Sequence, residues 1–174
     1  MPRRAQTKHH GVVMQFARAM FLASVAAISV AACGEEKFVA PVREQYVIPL
    51  LGANERPNPV TTTATGSAVV TVMSPDSIEW TLYVSGIDSV TQGHFHAGDA
   101  TVAGPVMFFV FSGPTTARGV TGLLSSGMIR RTGSTFSGAY TYDSLLTRIR
   151  AGTTYLNVHT RRNGPGEIRG QVIK

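Results

Sequence analysis

The run from Ile78 to Ser85 constrains this chain more than any other, because it admits one backbone geometry. Ile78, Trp80, Leu82 and Val84 alternate with Glu79, Thr81, Tyr83 and Ser85. Successive side chains of a strand leave opposite faces, so this spacing makes one apolar and one polar face. A helix would scatter the same residues around its girth. Shorter runs of the same kind, separated by turn chemistry, lie on both sides, and this is the pattern of a sandwich or barrel.

Residues 46–51 are apolar, and Pro49 within them predicts an edge or terminal strand. Pro57, Asn58 and Pro59 predict a turn. Residues 66–73 set Ala68, Val70 and Val72 on one face, and 74–77 form the turn into the run above. Residues 91–97 are the next strand. Residues 105–112 are apolar on both faces, which predicts a central strand covered on each side. The glycine- and threonine-rich stretch 113–127 reads as a loop, and 128–132 with 135–142 as a hairpin about Gly133. Asp143 and Ser144 predict the cap of a short helix to Arg150, ended by Gly152, with Leu145, Leu146 and Ile149 facing inward. Strands at 154–160 and 167–173 flank a turn at 161–166. The expected fold is all-β, a sandwich or barrel of about 7–9 strands with one short helix.

The 16 basic residues against 10 acidic ones suggest a nucleic-acid binder until their distribution is considered. Arg3, Arg4, Lys8 and Arg18 precede Cys33 with no acid among them, which leaves 12 basic and 10 acidic residues from Cys33 onward. No phosphate-tracking patch remains, so no nucleic-acid partner is expected. Arg130, Arg131, Arg148, Arg150, Arg161 and Arg162 read as a solvated rim.

The basic start, the short apolar run 20–30 and the small residues after it have the three-part form of a secretory signal. The apolar run is too short to span a bilayer. Val30-Ala31-Ala32-Cys33-Gly34 resembles the lipobox of bacterial lipoproteins. That resemblance implies a signal peptide over 1–32, acylation of Cys33 with palmitate-type chains, and a membrane partner through the lipid. Gly34 after the cysteine implies sorting to the outer membrane of the cell envelope. A polar tether is expected over 33–45, and Met14 is an alternative to Met1 as the start. With one cysteine in the chain, no intrachain disulfide can form.

His94 and His96 stand two apart on an expected strand, so both rings leave one face. His159 lies on another strand, on a face with Tyr155 and Asn157. Converging, the three imidazoles would form a zinc or copper site with an open position. The competing reading needs no cofactor: Asn157, His159, Glu167, Arg169 and Gln171 form a buried polar network, with the histidine bonded to the glutamate and the arginine closing it.

Several segments resemble the CHRD (chordin-type) domain family. Gly93-His94-Phe95-His96-Ala97-Gly98 is similar to its "AHIHG", residues 155–160 to "YVNVHT", and residues 165–171 to "PGGEIRGQ". Leu51-Gly52-Ala53-Asn54-Glu55 matches "LSGAQEVPP" more loosely. The resemblance covers 46–174 and implies an immunoglobulin-like β-sandwich or barrel, with a distant likeness to copper/zinc superoxide dismutase around His-x-His. This chain lacks the cysteine-rich repeats that accompany such domains in animal chordin, so growth-factor binding does not carry over. It also has too few histidines for the dismutase's two metals. Hydrolase and nucleotide motifs are absent from the sequence. The expected function is a non-catalytic envelope binding or structural module for an unknown protein or ligand, contacted through 113–127 or the arginine rim. The alternative is a mononuclear metal protein.

Overall fold

The computed structural model describes residues 43–174 apart from Thr115. Cys33, the expected signal and most of the expected tether lie outside the described residues. Eight strands are present among them: β1 (Glu44–Leu51), β2 (Thr65–Ser74), β3 (Ser77–Ile87), β4 (Val90–Ala97), β5 (Val106–Ser112), β6 (Val120–Arg130), β7 (Thr154–Thr160) and β8 (Ile168–Gln171). A 3-10 turn, Gly52–Asn54, follows β1, and one helix, α1 (Tyr142–Arg150), precedes β7. The strands form a single antiparallel, nearly closed barrel-like sheet in the order β5-β4-β7-β8-β1-β2-β3-β6. The all-β expectation, with one short helix, therefore holds.

Period-two patterning explains the centre of this sheet. Ile78, Trp80, Leu82 and Val84 are buried along β3, and Ala68, Val70 and Val72 answer them along β2. The register sets Ala68 opposite Leu82 and Val70 opposite Trp80. Ile48 and Leu50 from β1, Ile129 from β6, and Leu156 and Val158 from β7 join the same fully buried core. Each such side chain contributes roughly 1.5–3 kcal/mol relative to an exposed one. Against this core α1 packs Leu145, Leu146 and Ile149, as its spacing predicts.

Several local expectations are corrected. The helix cap is Thr141, not Asp143 or Ser144. Its side chain accepts from the Ser144 amide while Ser144 bonds back to the Thr141 amide, a reciprocal cap worth about 1 kcal/mol. Gly152, in the left-handed region at φ 68°, ends the helix as expected. Its amide donates to Ile149, and that of Thr153 to Arg148, which closes the last turn. β1 is not an edge strand: β2 flanks it on one side and β8 on the other. Proline is accommodated because the rungs with β8 are confined to Leu51 and Arg169, so none is asked of Pro49 on that side.

β5 is at an end of the strand order rather than at its centre. Register shifts at Gly93/His94 and Phe95/His96 break its alternation. Met107 and Val110 therefore turn inward while Phe109 stays 43% exposed. Within the stretch 113–127, the residues from Val120 onward belong to β6, an eleven-residue strand on β3, rather than to a loop. Residues 128–130 complete that strand, and 135–142 carry no strand partner, so the expected hairpin about Gly133 does not form. One of the glycines that suggest a loop serves packing instead. Gly127 lies opposite Trp80, and a β-carbon there would stand inside the indole ring.

The arginine rim is divided. Arg131 pairs with Asp76 at 2.5 Å and with Asp143, and Arg150 pairs with Glu44 at 2.6 Å. Arg161 and Arg162 are exposed in the turn after β7.

Gly127→Ala is expected to destabilise the domain by roughly 1–3 kcal/mol through overpacking against Trp80. Gly164→Ala, whose β-carbon meets open space, should stay within about 0.5 kcal/mol. Urea unfolding followed by Trp80 fluorescence compares the two. Equal midpoints would contradict the packing role.

Candidate functional site

β4, β7 and β8 lie side by side, and β7 is buried along its whole length. A strand covered on both faces usually reads as continuously apolar. β7 instead sends Leu156 and Val158 into the core and Tyr155, Asn157 and His159 to the opposite face. There the register aligns His94 with Asn157 and Arg169, and His96 with Tyr155 and Gln171. The result is a second, polar layer beneath the connecting loops. Its members are buried: His94 2% exposed, His96 6%, His159 8% and Arg169 1%.

Two main-chain carbonyls orient the imidazoles. His96 Nδ1 donates to Gly104 O at 2.8 Å, and His159 Nδ1 donates to Gly164 O at 2.8 Å. Each ring is thereby fixed with an unprotonated Nε2. His94 Nδ1 lies 3.0 Å from His159 Nε2 and donates to it. His94 Nε2 and His96 Nε2 are buried without any partner. One nitrogen from each ring lies within 4.8 Å of the others. Metal–nitrogen bonds of about 2 Å would draw them to roughly 3.4 Å, a movement within the reach of small ring rotations. The donor set thus fits a metal: neutral imidazoles, buried lone pairs on His94 and His96 without hydrogen-bond donors, and carbonyls holding the far side of two rings.

Aromatic walls surround the histidines. Phe109 packs edge-on against His94 with centroids 4.3 Å apart. His96 stacks on Tyr155 at 4.8 Å and 12°, and the Arg169 guanidinium carbon lies 3.4 Å from the centre of the same phenol. At those distances the two cannot share a face, so Tyr155 is sandwiched between them. Its hydroxyl donates to Gly104 O at 3.2 Å and accepts from Gly104 N at 2.9 Å.

The polar network expected from sequence is wired differently. His159 and Glu167 do not bond. Glu167 accepts from Thr160 Oγ1 at 2.6 Å and from Thr62 Oγ1 at 2.8 Å, because it precedes the first residue of β8 and turns toward the connection after β1. Arg169 Nη2 donates to Asp99 O at 2.7 Å, and Gln171 Nε2 donates to Gly98 O and Gly152 O, each at 2.9 Å. Asn157 faces both His96 and Glu55.

Glu55 was not singled out from the sequence. It is 3% exposed, packs flat against Gly166, and leaves Oε1 without a partner. Its signal was the loosely matched stretch 51–55. Gly104 and Gly164 act through main-chain oxygens, for which no side-chain pattern exists.

Burial sets the charge states. It pushes His94 down to about 3, His96 down to about 4 and His159 below its ordinary range, so the rings are neutral at pH 7. Burial also pushes the Glu55 carboxyl up to about 7, against the pull of Arg169. The histidines take up protons in the unfolded chain near pH 6.5 but not in the fold, so stability is lost as the pH falls through that value toward 4. Glu55 acts in the opposite sense between its unfolded value of 4.5 and about 7, but it is one group against three. The metal-free protein should therefore lose stability steadily from pH 6.5 to 4.5. A flat urea midpoint over that window would contradict neutral, buried imidazoles.

A protein-family comparison matches the CHRD domain over residues 46–172. No curated protein and no solved structure matches the chain. The match spans most of the sequence and takes in all three histidines, Glu55 and Arg169. The chain belongs to the CHRD domain family.

Proposed function

We propose that this chain is a non-catalytic, lipid-anchored envelope protein whose CHRD domain binds a single metal ion through His94, His96 and His159. Family membership suggests a binding or structural module. One observation favours a metal as the ligand. His94 Nε2 and His96 Nε2 are orphaned in the interior, beside a third ring whose Nε2 is reached only by His94. Leaving a buried polar group unpaired costs roughly 1–3 kcal/mol. An ion shared by the three rings would remove that cost, and the two carbonyl contacts would remain in place as the outer shell.

The anchor rests on sequence. Cys33 is the proposed acylation site, Gly34 after it supports a place at the outer membrane, and two or more acyl chains would hold the protein stably at the surface.

Elemental analysis of the purified protein should find close to one zinc or copper per chain. His96→Ala should reduce this to background while circular dichroism keeps its β signature. A wild-type protein that refuses both ions under saturating supply would overturn the metal reading. For the anchor, Cys33→Ser should abolish incorporation of labelled palmitate, and a variant that still takes up label would refute the lipoprotein assignment.

A further inference from the structure

The same centre carries a second conclusion, which rests on the metal reading above. We propose that the ion held by His94, His96 and His159 is monovalent copper rather than zinc. Three observations converge on it. The ligand set is three neutral imidazoles, and the histidines form the one group of three or more clustered metal-ligating side chains found among the described residues, with neither thiolate nor carboxylate in it. A zinc ion at such a centre would keep its full double charge in the interior and would seek a fourth donor, normally water. Cuprous ion is satisfied by three nitrogens and brings half the charge.

The surroundings are aromatic on two sides. Phe109 stands against His94, and Tyr155 covers the face of His96. With the rings 2–8% exposed, bulk water has little access to a fourth position on the ion.

A buried positive charge lies across Tyr155 from His96. Arg169 is buried, stacks on the far face of Tyr155 from His96, and has no carboxylate within salt-bridge distance. Its Nη1 has no hydrogen-bond partner. Each added positive charge at the histidines is opposed by this guanidinium through a low-dielectric layer. Glu55 offsets part of that field, but burial favours its neutral form. A singly charged ion is penalised least. Imidazole nitrogen is a competent ligand for either metal, so charge and coordination number make the selection.

The test is competition on the full chain extracted in detergent. Cu(I), generated anaerobically with ascorbate, is titrated against bicinchoninate, and Zn(II) against a zinc-responsive dye. One Cu(I) per chain should be retained, with an affinity exceeding that for Zn(II) by about 100-fold or more. X-ray absorption of the copper form should show three nitrogen neighbours at about 2 Å and no oxygen. Arg169→Gln, which removes the opposing charge, should narrow the preference by about tenfold. Zinc held as tightly as Cu(I) would overturn the copper assignment and leave the three-histidine centre standing. Retention of neither ion would overturn both.

Discussion

The strand β7 divides this domain into two chemistries, and everything else is arranged around that division. All seven of its residues are buried. The alternation that sends Leu156 and Val158 into the core obliges Tyr155, Asn157 and His159 to occupy a second interior, where each polar atom needs a partner. β4 and β8, paired to it on either side, extend the same split across the sheet. The loops above are not decoration. Gly98, Asp99 and Gly104 come from one connection and Gly164 from another, and their carbonyls supply most of the acceptors that this layer requires.

The bookkeeping of that layer does not close with protein atoms alone. Seven buried side-chain atoms among the described residues lack partners, and all but Thr154 Oγ1 belong to it: one each from Glu55, His94, His96, Asn157, Arg169 and Gln171. Unsatisfied groups scattered through a core would speak of poor packing. Gathered in one place, they are what favours a bound ion there in the proposed function. The histidines take the end nearest Phe109, and Glu55 and Arg169 take the other, with Asn157 between.

Much of this was legible in the sequence wherever side-chain alternation alone decides the outcome. The faces of β2 and β3, the inward side of α1 and the shared face of His94 and His96 all follow from spacing. The failures have a common cause. β6 is hidden in the sequence because Gly127 answers Trp80, a residue far outside any local window, and no local pattern contains that relation. β5 was placed centrally because its apolar run ignores the bulges that turn Met107 and Val110 inward together. Within the site, the histidine pair was visible, whereas the partner of His159 was not. A carboxylate looked the natural acceptor, and a glycine carbonyl took its place.

That substitution of backbone for side chain has a consequence for how the domain tolerates change. The groups that aim His96 and His159 are peptide oxygens of Gly104 and Gly164. A β-carbon at Gly104 would collide with the Ala97 carbonyl oxygen and displace the loop, whereas alanine at Gly164 would meet open space and leave its peptide oxygen in place. Loop length, by contrast, governs them directly: an insertion or deletion in either connection displaces the oxygen and releases the ring. Natural drift should therefore be freer in the identity of the residue at 164 than in the length of its loop, while position 104 should tolerate neither a side chain nor a change of length.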